Sequence, residues 1–247
     1  MTPAKPWQRR AISTGAPGSP TCSSRSPGTA EGLPAIEAAI FAGVPVNVTL
    51  LFSREQYVAA AEAYLRGIER RIAAGLNPAV ASVASLFVSR WDVAVGDKVP
   101  GELTNRLGVA IAERAYKAYR ELLASARFQR VANAGARAQR LLFASTGTKD
   151  PHASDILYVK ALAAPFTVNT MPEGTLKAFG DHGEVGTTLA VNGGDCETVL
   201  AGFAKVGIDI DALAARLQDE GATSFVHSWN DLMACIEAKS ASMREAS

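Results

Sequence analysis

The sequence predicts an α/β fold built on a parallel sheet, and three observations carry that prediction. Short apolar runs of the kind found in fully buried strands alternate along the chain with longer segments whose apolar residues recur at helical spacing. Capping and breaking residues such as Gly43, Ser53, Gly75 and the pair Asn77-Pro78 separate the two kinds of segment. Rossmann-like and barrel versions of the alternating architecture both fit, and no G-x-G-x-x-G or G-x-x-x-x-G-K-[ST] follows any strand, so the nucleotide-binding versions lose their best marker.

The first unit begins at Glu31, where Leu33, Ile36, Ala39 and Ile40 fall on one helical face, Gly43 closes the helix and Val44 to Phe52 reads as a buried strand. Ser53 is placed to cap a long helix through Tyr57, Ala61, Tyr64 and Ile68, which stops at Gly75; Val80 to Val88 is the next strand. Asn105 to Leu123 is amphipathic, Arg140 to Ala144 is strand-like, Ser154 to Leu162 helical, and Phe166 to Asn169 a short strand after Pro165. From Asp195 to Ser240 two or three helices are expected, capped at Asp209 or Asp211. Phe203, Leu213, Leu217, Phe225, Trp229, Leu232 and Ile236 lie at helical spacing, and Phe225, Trp229 and Leu232 are expected to face the core. Before all of these, residues 1–28 are rich in Pro, Ser, Thr and Gly without apolar periodicity, the composition of a disordered arm.

Composition narrows the function. The chain has 247 residues, 48% of them apolar, with a formal net charge of +1, which suits one globular domain and gives no electrostatic footprint for nucleic acid or anionic lipid. No apolar run reaches the length of a membrane span. Cys22, Cys196 and Cys235 are far apart and form no metal-like cluster with His152, His182 and His227, so we expect a reducing cytoplasmic setting and no structural metal. The arm has Arg9 and Arg10 but no apolar core of a secretory signal.

Chemistry in a barrel stands at the C-terminal ends of the strands. In the run V-N-V-T-L-L-F, Asn47 and Thr49 are two apart and share one face, either as a hydrogen-bonded polar pair in the core or as substrate contacts. Arg90 follows the strand S-L-F-V-S, where its fork suits a phosphate, or where it pairs with Asp92 on the surface. After the next strand, Ser145, Gly147, Thr148 and Lys149 combine hydroxyls, a flexible backbone and a cation in one turn.

Taken in order, P-G-T-A-E-G-L-P-A-I, G-V-P-V-N-V-T-L-L-F-S, S-L-F-V-S-R-W-D, A-S-T-G-T-K-D-P and N-T-M-P resemble the transaldolases, from about Pro27 to Lys239. The resemblance implies roughly the second half of a (β/α)8 barrel of the TIM type over residues 29–185, with extra C-terminal helices over 186–247. It also implies transfer of a dihydroxyacetone unit from sedoheptulose 7-phosphate to glyceraldehyde 3-phosphate through a lysine Schiff base, without metal or cofactor. By that resemblance Asn47 and Thr49 position substrate and water, Ser85 contacts a sugar hydroxyl, and Arg90 and Ser145 hold phosphate. Lys149 stands near where the family has a further arginine.

The Schiff-base lysine itself is missing. The family has P-N-L-F-I-K-I-P-G-T where this chain reads Ser19 to Thr29, with Arg25 near the lysine's place, and arginine stays protonated and is no nucleophile. Lys149, Lys160 and Lys177 lie in loop or helix contexts. Back-translating Ser19 to Gly28 with permitted codons and reading two bases later spells Pro-Asn-Leu-Phe-Ile-Lys-Ile-Pro-Gly, so the arm is compatible with an out-of-frame reading of the family's strand. We expect that strand to be lost, three strands before it to be absent, the chain to be inactive alone, and the open half-barrel edge to invite self-association. The sugar-phosphate partner follows from the resemblance.

Overall fold

The computed structural model describes residues 24–245, and what was expected of the arm before residue 24, Cys22 included, lies outside the described residues. Five parallel strands form one sheet in chain order. They are β1 (Ser24–Pro27), β2 (Val46–Leu51), β3 (Ser82–Phe87), β4 (Arg140–Ala144) and β5 (Val168–Asn169). Between them run α1 (Leu33–Phe41), α2 (Arg54–Ala73), α3 (Ser89–Val95), α4 (Leu107–Ala124), α5 (Ala126–Asn133) and α6 (Leu157–Ala161), followed by α7 (Glu173–His182), α8 (Cys196–Lys205) and α9 (Ile210–Glu245). Parallel strands in chain order joined by helical crossovers are what a section of a (β/α) barrel wall requires.

The expectation that no strand survives before Gly28 is corrected. Ser24 donates its amide to Pro45 O at 2.8 Å and Gly28 donates to Thr49 O at 2.8 Å, which places Arg25 opposite Asn47. Pairing uses backbone groups, and an edge position tolerates polar side chains. The amides of residues 24 and 28 point at β2, so residues 25 and 27 turn theirs outward, where the absent N–H of Pro27 breaks no bond.

Ser53 caps α2 as expected, in a reciprocal box: Gln56 N donates to Ser53 Oγ at 3.1 Å, and Ser53 N donates to Gln56 Oε1 at 3.3 Å. One face of the sheet, with Val46, Val48, Ala84, Leu86, Leu141 and Phe143, is sealed by Ile36, Ile40, Tyr57, Tyr64, Ile68, Tyr116 and Tyr119 from α1, α2 and α4. Each such side chain contributes roughly 1.5–3 kcal/mol on full burial. Gly67 sets the spacing of α1 on α2, because a Cβ there would lie 2.8 Å from both Glu37 O and Ile40 Cβ.

A second core forms at the C-terminal ends of the strands, where Leu50, Phe52, Trp91, Leu107, Phe203, Leu213 and Leu217 meet. Asp209, of the two candidates, caps α9 by accepting Ala212 N at 3.0 Å. The expected core-facing role of Phe225, Trp229 and Leu232 is also corrected: Phe225 and Leu232 are exposed and Trp229 only half-buried. With 36 residues, α9 outruns the sheet, and its core contacts lie in its first turns, through Leu213, Ala214 and Leu217.

Helix α8 docks on α4 through Arg114, which holds Glu197 in a fork at 2.9 and 3.0 Å, and Arg106, 3.2 Å from Asp195. Between them the Glu113 carboxyl is pushed up to about 7, first by burial and then by the charge of Asp195, against the pull of Arg106. A carboxyl raised in the folded state binds its proton there over a window where the unfolded chain has lost it, so stability falls as pH rises from about 4.5 through about 7. Glu113→Gln should therefore melt like the parent at pH 4 and higher at pH 8. Partial solvent screening holds the gain to about 1 kcal/mol, or roughly 3 °C in Tm, read by circular dichroism.

Candidate active site

Alternation along β2 sends Val46 and Val48 to the helices and leaves Asn47 and Thr49 on the opposite, inner face of the sheet. Ser85, on the same face of β3, donates its hydroxyl to Asn47 Oδ1 at 2.7 Å, so these two candidate residues are brought into direct contact. Thr49 is 4% exposed, and its Oγ1 has no hydrogen-bond partner among the described residues. The alternative of a mutually satisfied Asn47–Thr49 pair is thus replaced by an Asn47–Ser85 pair beside an unsatisfied threonine. Arg25, exposed, shares this face through its register with Asn47.

Past Thr49 the strand bulges. The β2–β3 register shifts between Val48 and Leu51, and Leu50 takes a φ of 63°, a left-handed conformation that a leucine holds only under constraint. The bulge throws the Leu50 side chain out of the sheet and into the second core, against α9. Gln218 on α9 donates through Nε2 to Leu50 O at 2.8 Å and to Gly28 O at 3.2 Å, which fixes the helix across the C-terminal ends of β1 and β2. Sequence reasoning missed Gln218; a lone glutamine in an amphipathic helix carries no signal of its own.

The other candidates stand at the ends of β3 and β4. Ser89 N donates to Ser145 O at 2.9 Å and the two hydroxyl oxygens lie 2.9 Å apart, which pins the loop after β4 to the start of α3. Ser145 sits at φ 57°, again left-handed. The Arg90 guanidinium, half-buried, lies over the Phe87 ring at 5.0 Å. Helix α9 passes close by at Gly221, where a Cβ would come within 2.8 Å of Leu50 Cδ2 and 3.6 Å of Arg90 Nη1.

The reading of Arg90 as a surface ion pair with Asp92 is overturned. Asp92 is buried and turned the other way, accepting Leu107 N at 2.9 Å, Gly108 N at 3.1 Å and the Tyr158 hydroxyl at 2.8 Å. Burial pushes its carboxyl above the ordinary value, against the three hydrogen bonds that favour the charge. Arg90 is left free to face the strand ends.

Lys149 is exposed farther along the loop after β4, and no hydrogen bond among the described residues ties it to Ser89, Arg90 or Ser145. The fully buried Thr146, unmarked by sequence, has Oγ1 2.8 Å from Asn169 Oδ1 and links β4 to β5. No lysine among the described residues stands on a strand: Lys160 lies in α6, and Lys177, in α7, pairs with Glu173 at 2.6 Å. His152 and His227 are exposed, and His182, the last residue of α7, lies 3.0 Å from Asp155 Oδ1 at the surface. Among the described residues no group of three His, Cys, Asp or Glu could hold a metal ion, and no helix is long and apolar enough to cross a membrane. The arrangement offers an amide, hydroxyls and a guanidinium for binding oxygen-rich and anionic groups, and among the described residues no amine stands on the strand face.

A profile of the transaldolase/fructose-6-phosphate aldolase family matches residues 26–236. The chain is 44% identical over 219 residues to the transaldolase of Parafrankia sp. (strain EAN1pec), covering 85% of this chain and 59% of that one. It is 46% identical over 217 residues to the transaldolase of Mycolicibacterium paratuberculosis, covering 84% and 58%. To transaldolase 1 of Streptomyces avermitilis it is 44% identical over 227 residues, covering 88% and 59%. The chain thus spans under two thirds of the length of these relatives.

A buried hydroxyl without a partner costs about 1–3 kcal/mol, and an apolar group of the same shape removes that cost. Thr49→Val should therefore raise the melting temperature, by about 1 kcal/mol of stability, whereas Ser85→Ala, which strips Asn47 of its donor, should lower it by a similar amount. Thermal melts of the two variants beside the parent check this; a destabilised Thr49→Val would mean that the hydroxyl has a partner.

Proposed function

The chain belongs to the transaldolase/fructose-6-phosphate aldolase family, and on that premise we propose that it binds a sugar phosphate on the inner face of β2 and β3 without turning it over. The parent chemistry of the site is transfer of a dihydroxyacetone unit from sedoheptulose 7-phosphate to glyceraldehyde 3-phosphate, in the pentose phosphate pathway of the cytoplasm. One observation carries the reading: the Asn47–Ser85 hydrogen bond of 2.7 Å beside the buried, unpartnered Thr49 Oγ1. On a face that also carries Arg25, Val83, Phe87, Leu142 and Ala144, the buried Thr49 hydroxyl is costly unless a ligand completes it.

In this reading Asn47 and Thr49 hold the sugar and a water, and Ser85 meets a sugar hydroxyl through the oxygen already engaged with Asn47. Arg90 and Ser145 take the phosphate at the strand ends, the guanidinium donating two bonds and the hydroxyl one. Lys149, farther out, adds a cation at the rim. What is wanting is the nucleophile. Formation of a Schiff base needs a neutral amine that adds to the ketone carbonyl and expels water, and the group opposite Asn47 is a guanidinium, which remains protonated. Arg25 also carries its charge into the mouth of the site, where it favours anionic ligands.

Two measurements test the proposal. Calorimetric titration with sedoheptulose 7-phosphate should show binding that weakens at least tenfold in Arg90→Ala, with loss of a charge-assisted pair of about 1.5–3 kcal/mol. Borohydride added to the same mixture should leave the mass of the chain unchanged. A borohydride-stable adduct would overturn the absence of turnover, and titration without heat or saturation would overturn the binding site.

A further inference from the structure

Among the described residues the Arg90 guanidinium has neither an ion pair nor a hydrogen bond, because Asp92, two positions on, is turned toward the start of α4. Packing is what directs it. The Phe87 ring lies 5.0 Å away, and the backbone of α9 comes close at Gly221, where a Cβ would stand 3.6 Å from Arg90 Nη1. A glycine inside a helix costs stability relative to alanine, so its presence here serves the close approach. The place of α9 therefore bears on how the guanidinium is presented.

Gln218 holds that stretch of α9. It stands three residues before Gly221 on the same side of the helix, and its Nε2 donates to Leu50 O at 2.8 Å and to Gly28 O at 3.2 Å. Both carbonyls belong to buried residues at points where strand pairing gives out: Gly28 lies just past β1, and Leu50 falls within the shift of the β2–β3 register. A buried carbonyl needs a donor, and here one amide serves the ends of two strands. Leu50 meets the helix twice, through its carbonyl at Gln218 and through its side chain at Gly221, where a Cβ would come within 2.8 Å of Cδ2. Its left-handed conformation, with φ at 63°, is held by both contacts.

We infer that Gln218 is a positioning residue for the anion site: by tying α9 to the Gly28 and Leu50 carbonyls it sets the Gly221 backbone beside Arg90, and so fixes the direction in which the guanidinium meets an anionic group. Both amide hydrogens of Gln218 are engaged with backbone, so it has no donor left for a phosphate and acts through the helix and Arg90. For the identity of the ligand the inference rests on the sugar-phosphate reading above. The placement of Arg90 does not depend on that reading and is measured separately.

The test uses the full 247-residue chain with Gln218→Met, which keeps the length of the side chain and removes its donors. Phenylglyoxal labelling of Arg90, read by peptide mass, should run about fivefold faster in this variant as the helix comes away, with Arg130 on α5 labelled at the parent's rate. Titration with sedoheptulose 7-phosphate should show binding weakened about fivefold by Gln218→Met, and no further weakening when the same change is made in Arg90→Ala, because the two residues act through one contact. Gly221→Ala, which pushes the helix off Leu50 and leaves the amide in place, should also speed the labelling of Arg90. Unchanged labelling in Gln218→Met, or in Gly221→Ala where the first variant does not fold, overturns the inference; a lower melting temperature alone would make Gln218 a clamp and nothing more. An equal loss of affinity with and without Arg90 overturns it too. A parent that binds no sugar phosphate sinks the proposed function, and the labelling rates then decide the role of Gln218 by themselves.

Discussion

The alternation of side chains along β2 divides the molecule. Val46 and Val48 enter the layer of aromatic and aliphatic groups supplied by α1, α2 and α4, and that layer fixes the strand's register against β3. A slip by one residue would bury Asn47 and Thr49 among tyrosine rings and expose two valines, a loss of several kcal/mol. The polar inner face is therefore held in place by the apolar outer one, and the Asn47–Ser85 bond exists because both strands are pinned from behind. Every other candidate is placed relative to this pair, since Arg90 and Ser145 lie where the neighbouring strands run out.

Alternation fails once, at Leu50, and the failure is what brings α9 to the site. With φ at 63° Leu50 departs from the strand, carrying its side chain into the second core and leaving its carbonyl for Gln218. Gly221, one turn on, allows the helix to approach where a Cβ would lie 2.8 Å from Leu50 Cδ2 and force that side chain to shift. Bulge, glutamine and glycine thus act together, and the strained leucine is stabilised by the helix that it recruits. On the other side of the strand ends, the Ser89–Ser145 contact ties the loop after β4 to the start of α3.

The parts of this arrangement that sequence revealed are those set by local chemistry. Ser53 and Gln56 mark the start of α2 because a capping box is written in four consecutive residues, and β2 to β4 follow from apolar runs bounded by breakers. The shared face of Asn47 and Thr49 follows from a period of two. What was missed depends on groups far apart in the chain. The partner of Asn47 is 38 residues away in sequence, and Gln218 reaches back 190 residues to Gly28. Asp92, read as a neighbour of Arg90, is instead the buried acceptor for the start of α4, since residues two apart on a helix point in different directions. The error at Phe225 and Leu232 has another origin: helical period shows that a face is apolar, and cannot say whether anything covers it.

Strand β1 brings the two lines of reasoning together. Its backbone pairs with β2 at Ser24 and Gly28, and the parity so fixed turns Ser24 and Ser26 toward the helices and Arg25 toward Asn47. A sequence suited to that strand would have apolar residues at 24 and 26, on the side of the apolar layer. Ser24 and Ser26 stand there instead. Neighbouring strands can thus impose a backbone path on residues whose side chains contradict it. The half-buried Ser24 and Ser26 leave the helix-facing side of β1 without the apolar burial that Val46 and Val48 give β2. The polar frame of the site accordingly belongs to β2, β3 and their helices, while β1 brings to Asn47 a guanidinium that stays protonated.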